Sequence, residues 1–441
     1  MIARSLLVGW ALAGAAGAIE LERLVGTGDV LPETPPGALV RVATTPHVGG
    51  ENIVFWADVR VPPDGLVRGL WLWDGGSFRR VIDSTMPDGQ AGILESRLYN
   101  VDETGLVAVN VEGHAMMAWQ GGTLYQVALE GGPPPNGPPG SVFESFSRPV
   151  VEAGVVAFLG RMTGLPQDQA VRIYTWSVSG GLEELSLPGL CCFGRPARAP
   201  DGTAYLGATD PNDQFGERAI WRRSAQGELT QFFRLDSPPP GAPPGAYWVS
   251  DYTQLGAFSE GIVYKGRDSE FTFNGIFRIS ADHVETVILE GDQVPETSLP
   301  VGGFLPEYSA SADRIAFFAL GILNPFPGYF PGGVVLQDAY RRLHRVVYGG
   351  DILEGQQVFA AYPTFGALSG DTLAIEVQRT GDLAVWVADL STLGDRPANP
   401  LEIPTLRPGA LAVLIALIAV AGVLRARRVR GVEPAMGPEG R

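Results

Sequence analysis

Two stretches of this chain gather side chains that chemistry uses. "DPNDQ" (210–214) sets Asp210 and Asp213 in one short polar turn, and "RDSEFTFNG" (267–275) puts Asp268 and Glu270 beside Phe271 and Phe273. A third, "GILNPFPGYFPGG" (321–333), adds Phe326, Tyr329 and Phe330. Carboxylates beside aromatic rings suit a sugar or a cation, although a long loop folding back on itself also uses such rings. "DPNDQ" lacks the alternating spacing of a calcium loop, so no metal is assigned to it. Gly-Asp recurs at Asp29, Asp292 and Asp351. Repetition of one dipeptide after one kind of strand predicts a structural turn of the Asx type.

The histidines His47, His114, His283 and His344 fall in four separate segments. HExxH, GxSxG and the phosphate-binding P-loop are all absent from the sequence, so no catalytic or cofactor-binding residue is assigned and the motifs argue against an enzyme. The two cysteines, Cys191 and Cys192, are adjacent. Neighbouring Cα atoms lie about 3.8 Å apart, short of the roughly 4.4–6.8 Å of ordinary disulfides. The pair reads as two small side chains on opposite faces of a strand; a strained vicinal disulfide and a redox role are the alternatives.

The elements that must position these residues follow from composition and repeats. The chain has 441 residues, 45% of them hydrophobic and 18% charged, with 58 glycines and 36 prolines. That supports a large core built from short strands and many turns. The net charge of −16 argues against a nucleic-acid binder, which needs a basic face; Lys265 is the only lysine and all other basic residues are arginine, a compositional bias.

A strand of the form "LxxVV" occurs seven times: "LERLVG" (21–26), "FRRVID" (78–83), "LYQVAL" (124–129), "LEELSL" (182–187), "LTQFFR" (229–234), "VETVIL" (284–289) and "LHRVVY" (343–348). All copies but the first follow a Trp-rich or aliphatic strand and a short turn, as in "GLWLWDGG" (69–76). Upstream lie a third strand, such as "GLVAVNV" (105–111), and a fourth, such as "SRLYNV" (96–101). Four short strands per unit predict an all-β fold: a seven-bladed β-propeller with four antiparallel strands per blade. The Pro/Gly-rich links follow "LxxVV", which makes it the outermost strand. The first copy precedes any complete blade, and "LAVWVADL" (383–390) has no partner after it. Residues 20–25 are therefore expected to pair with 383–388 and close the ring.

Tight turns such as "DGGS" (74–77) fall on one face and the long loops on the other, which makes the long-loop face the expected ligand face. Asp210, Asp213, Asp268, Glu270, Phe326 and Tyr329 are its candidate ligand residues.

The termini read as addresses. Residues 1–18 carry Arg4, an apolar run and small residues at Ala16 and Ala18, the pattern of a signal helix cleaved before Ile19. Residues 408–424 are apolar or glycine and reach about 25 Å as a helix, marginally enough for a bilayer. Arg425, Arg427, Arg428 and Arg430 follow, which places the preceding chain outside the cytoplasm. The expected organisation is a signal peptide (1–18), the propeller (19–391), a linker (392–402), a membrane segment with its arginines (403–430) and a short cytoplasmic tail (431–441).

Ile403-Pro404-Thr405-Leu406, the apolar helix and the arginine cluster together resemble the IPTL-CTERM sorting signal of Gram-negative bacteria. "VDETGLVAV" (101–109) and "VEAGVVAF" (151–158) resemble exported bacterial tandem-repeat proteins of the NxxGxxVAF, choice-of-anchor type. The resemblance implies export through the inner membrane, at least transient membrane insertion, a sorting protease as partner, and delivery to the cell surface, the outer membrane or the medium. The expected function is a surface-directed binding or structural module, with an extracellular polysaccharide or surface protein as partner. The alternative is a secreted polysaccharide hydrolase or lyase with its site at the mouth of the long-loop face.

Overall fold

The structure is a computed structural model and describes residues 19–86, 98–111, 114–166, 169–185, 196–199, 201–209, 218–224, 227–234, 256–258, 261–267, 274–294, 300–311, 313–321 and 332–393. The expected signal helix (1–18), the sorting segment (403–430) and its tail (431–441) lie outside these residues. Among the described residues, no helix is long and apolar enough to cross a membrane.

Seven antiparallel sheets follow one another along the chain. Blade 1 is built from Leu39–Gly49, Asn52–Val61, Gly65–Trp73 and Phe78–Asp83, innermost strand first. Blade 2 runs from Tyr99–Val101 through Val107–Val111 and Ala115–Gln120 to Thr123–Leu129. Blade 3 has a split innermost strand, Phe143–Phe146 and Val150–Glu152, then Val155–Met162, Val171–Ser177 and Gly181–Glu184. Blade 4 comprises Ala197–Arg198, Ala204–Thr209, Arg218–Arg223 and Leu229–Arg234. Blade 5 comprises Gly256–Phe258, Gly261–Arg267, Asn274–Ser280 and Val284–Leu289. Blade 6 comprises Val301–Ser311, Arg314–Gly321, Gly332–Gln337 and Leu343–Tyr348.

Blade 7 takes Gln356–Ser369, Thr372–Arg379 and Asp382–Asp389 from one end of the chain and Leu21–Val25 from the other. Leu21 pairs with Ala388, Glu22 with Val387, Arg23 with Trp386 and Val25 with Val385. The innermost strands touch in ring order, and that of blade 7 packs against that of blade 1. The protein is a closed seven-bladed β-propeller.

Stacking of blades explains why the second strands read as unbroken apolar runs. In Asn52–Val61, Val54 and Trp56 pack with Tyr99, Val107 and Met117 of blade 2. Ile53, Phe55 and Ala57 pack the other way, with Val385 of blade 7 and Val25 of the closing strand. A strand alternates its side chains between two faces, and here each face meets a neighbouring blade. Full burial of a residue such as Phe55 contributes about 1.5–3 kcal/mol. The outermost strands are less buried: Phe78–Asp83 is open over its first half and buried from Val81 on, and Leu229–Arg234 has no fully buried residue.

Candidate functional site: the axial cavity

The innermost strands line the ring axis, so their free edges face it. A proline interrupts five of them: Pro46, Pro149, Pro196, Pro306 and Pro363 each lie in or against such a strand. Proline cannot donate to a ladder and is tolerated where a strand edge is free or bulged. The register slips between Thr44 and His47, between Phe304 and Tyr308, and between Pro363 and Leu368. The Arg148 guanidinium, from blade 3, lies 5.1 Å from the ring centre of Phe365, from blade 7. These blades are not neighbours, so the contact spans the axis.

On one side of that contact is a cavity of about 530 Å³. All seven blades contribute to its wall, through the ends of their innermost strands and the turns into the second strands. These are short turns. The described cavity thus lies at the tight-turn end of the axis, opposite the long-loop end that sequence reasoning singles out. Its floor is apolar and aromatic, with Val101, Tyr308 and Phe365. At Gly366, φ is +72°, and an added Cβ would sit 2.9 Å from His47 Nδ1 and 3.4 Å from Asn100 Oδ1. Only glycine lets this strand pass so close.

Carboxylates ring the wall: Glu51, Asp102, Glu103, Glu152 and Asp371, with no basic side chain among the described lining. Two are committed to the scaffold. Asp102, 2% exposed, accepts the Thr104 and Leu106 N–H groups and the Thr104 hydroxyl through Oδ1, and the Gly154 N–H of blade 3 through Oδ2 at 2.6 Å. Asp371 is 2.5 Å from Arg314 of blade 6, whose guanidinium also donates to the Gly370 carbonyl. Three serines repeat one device. Ser309 Oγ accepts the Leu368 N–H at 3.0 Å, Ser311 Oγ the Gly370 N–H at 2.9 Å, and Ser369 Oγ the Gly50 N–H at 2.9 Å. Each bond ties one blade to the next. Asn100 Oδ1 accepts the Val101 N–H at 2.8 Å.

Beside the cavity, the Thr44 hydroxyl donates to Glu376, as does the Thr45 N–H at 3.2 Å. A hydroxyl on a carboxylate is the first half of a nucleophile–base arrangement. Thr44 is fully buried, however, so no substrate reaches it. The pair instead holds Thr45 at a φ of 55° and bolts blade 1 to blade 7.

The Gly-Asp dipeptides are structural, with a geometry that corrects the expected Asx turn. The Asp29, Asp292 and Asp351 carboxylates reach back to the N–H groups of Gly26, Leu289 and Tyr348, each at 2.8 Å. The Asp carbonyls accept the N–H groups of Val40, Val301 and Val358, all on the next innermost strand. The dipeptide staples one blade's outer strand to the following blade. Its glycine stands at φ +93°, +95° or +100°, where a Cβ is strained.

The histidines are not brought together. His47 is buried in blade 1 against Tyr99 at 4.9 Å between ring centres, His114 and His283 belong to blades 2 and 5, and His344 Nε2 lies 2.8 Å from buried Asp338 in blade 6. Burial alone would push the Asp338 carboxyl up; hydrogen bonds from His344 and Arg342 outweigh it and hold the carboxyl below the ordinary carboxylate range. Asp210, Asp213, Asp268, Glu270, Phe326 and Tyr329 lie outside the described residues, as do Cys191, Cys192, Ala16, Ala18 and Ile403, Pro404, Thr405 and Leu406.

The axial residues escaped the sequence reading because each blade supplies only a few of them. A signal was present in the proline that recurs in the first strand of five units.

No family model matches the chain, and no curated protein matches it. Several solved structures align with part of the chain. The β-propeller domain of the Trilobed protease from Pyrococcus furiosus aligns with a TM-score of 0.47 at 9% identity, over 80% of this chain and 99% of that one. A puromycin-hydrolyzing peptidase from Mycobacterium tuberculosis aligns with a TM-score of 0.39 at 13% identity, over 75% of this chain and 60% of that one. The computationally designed Ika8 protein aligns with a TM-score of 0.35 at 12% identity, over 79% and 96%.

Proposed function

We propose that this chain is an exported, surface-directed propeller that binds a ligand without transforming it. One observation carries the second half of that reading. The carboxylates that meet at the axis include Asp102 and Asp371, which are fixed in hydrogen bonds between blades, and the Arg148–Phe365 contact crosses the axis behind them. Hydrolysis or elimination needs two groups with separate acid and base duties and a path for substrate between them. With Asp102 and Asp371 held as staples between blades, these two acids are not available as a catalytic pair, which supports binding or scaffolding. The test is incubation of the purified chain with a panel of bacterial polysaccharides. We expect no new reducing ends and no unsaturated uronate absorbance; turnover of any of them would overturn the reading.

Export rests on the termini. Ile19, the residue expected to follow cleavage, packs against the closing blade with Leu21, Ala388 and Leu390. The Ile403–Leu406 tetrapeptide would be read by a sorting protease and the apolar run would halt the chain in the inner membrane. Scrambling the tetrapeptide to an equally apolar order should leave uncleaved precursor in the membrane fraction of a host with the cognate system. Equal mass and equal release from both forms would leave a simple membrane tether.

A further inference from the structure

We propose that the axial cavity is a binding site for a neutral, hydroxyl-rich saccharide unit that enters from the tight-turn face. This rests on the binding-module reading and adds the place and the chemistry of the ligand.

The argument begins with hydrogen atoms. The Ser309, Ser311 and Ser369 oxygens each accept a backbone N–H, so each hydroxyl proton must point elsewhere. Among the described residues, none of these protons has an acceptor. Asn100 presents the same situation more sharply. It lines the cavity, is only 9% exposed, and spends its carbonyl on the Val101 N–H. Its NH2 group meets no acceptor among the described residues. That NH2 group is open to the cavity and free to donate into it. These four residues therefore offer donors to whatever fills the space.

The same wall offers acceptors. Glu51 and Glu103 are exposed on the rim and neither is spent in an ion pair among the described residues. A bare cation would satisfy the carboxylates and leave the serine and asparagine donors unused. An anion would meet the donors and be repelled by the acids. A hydroxyl group both donates and accepts, so a polyhydroxylated ring answers both sets. The lining adds apolar contact: half-buried Phe365, against Arg148 at 5.1 Å, offers the rest of its apolar surface to the C–H face of a sugar, and Tyr308, 2% exposed and 6.4 Å away between ring centres, backs it from the core. The volume, about 530 Å³, lies within the roughly 300–1,000 Å³ of small-molecule sites. The Arg148–Phe365 contact across the axis limits approach to the tight-turn side.

The experiment uses the full chain and an array of neutral di- and trisaccharides of hexoses and N-acetylhexosamines, with calorimetry on the strongest binder. Ala310 lines the cavity, and Ala310→Trp should fill it and abolish binding. Asn100→Ala and Glu103→Gln should each weaken binding about three- to tenfold, the effect of one hydrogen bond. The thermal midpoint reports whether each variant folds; if Ala310→Trp does not, the two milder variants carry the test. Binding that survives all three variants would overturn the cavity as the site. An array on which nothing binds with a Kd below about 10 mM would overturn the saccharide, and the binding-module reading would stand for another ligand. Displacement of the sugar by millimolar ethylammonium would overturn the neutral class in favour of a cation. Cleavage of a sugar bound in the cavity would keep the site and overturn the non-enzymatic reading alone.

Discussion

The Thr27 N–H donates to Asp382 Oδ1 at 3.0 Å, joining residues 355 positions apart. Asp382 is the hub of the ring closure. Arg379 donates to its other oxygen at 2.6 Å, and Arg23 of the closing strand lies at 3.6 Å and also pairs with Asp29. Arg379, 5% exposed, in turn holds Glu354 and the Leu353 carbonyl of the link between blades 6 and 7. Burial would push the Asp382 carboxyl up, but the bonds from Arg379 and Thr27 and the charges of Arg23 and Arg379 prevail and hold it below the ordinary carboxylate range.

This sets a pH dependence. A carboxyl with a depressed folded pKa contributes stability in full above its unfolded value, about 4, and loses it as pH falls through the lower folded value. The closing strand should therefore loosen in acid. Asp382→Asn should lower stability at pH 7 by about 1–3 kcal/mol, because buried Arg379 keeps only its bonds to Glu354 and the Leu353 carbonyl and loses the charged partner of its other nitrogen. It should also flatten the fall in thermal midpoint between pH 5 and 2.5. Parallel pH profiles for the two proteins would show that Asp382 is not the hub.

Removing residues 19–28 tests the closure itself. Asp382–Asp389 would lose its outer partner and present an unpaired edge. Exposed edges recruit other strands, so the truncated protein should melt lower and self-associate on gel filtration. An unchanged midpoint and a monomeric profile would count against the ring as the source of cooperativity.

Closure was legible in the sequence because it rests on a repeat: the outer-strand pattern has an orphan first copy at 21–26, and the third strand at 383–390 lacks a successor. The strand order within blades was legible for the same reason. The site was not. Asp102 looks like one polar residue in a turn, and nothing in "VDETG" (101–105) says that its carboxylate will cap blade 3. Arg148 and Phe365 are 217 positions apart and meet only because seven blades close at one radius. Propensity and periodicity act within a strand, whereas an axial cavity is a property of the whole ring.

The junction of blades 1 and 7 has a second bolt at Glu376. Its carboxylate takes both the Thr44 hydroxyl and the Thr45 N–H. Glu376→Ala would leave the part-buried Thr45 N–H without its acceptor and the Thr44 hydroxyl with only the Thr45 hydroxyl at 3.2 Å, a cost of about 1–2 kcal/mol. Amide exchange at Thr45 should quicken well before global unfolding does. Glu376→Gln keeps an acceptor and should recover part of the loss; no difference between Gln and Ala would mean the carboxylate only fills space.

Two glycines separate close approach from backbone conformation. Gly49 ends the innermost strand of blade 1, and a Cβ there would lie 2.3 Å from the backbone carbon of Asp102 in blade 2. Nothing near it is a movable side-chain tip, so Gly49→Ala must force blades 1 and 2 apart. Overpacking of this kind costs about 1–3 kcal/mol, and it also shifts the wall of the cavity. Gly121, at φ +58°, turns the third strand of blade 2 into the fourth with nothing within 4 Å of its added Cβ. Gly121→Ala should cost only the strain of a left-handed alanine, about 1–2 kcal/mol, and leave saccharide affinity unchanged. Gly49→Ala should lower both the thermal midpoint and the affinity. Equal losses of affinity in the two variants would show that stability alone controls binding, and unchanged affinity in Gly49→Ala would show that the junction of blades 1 and 2 does not shape the site.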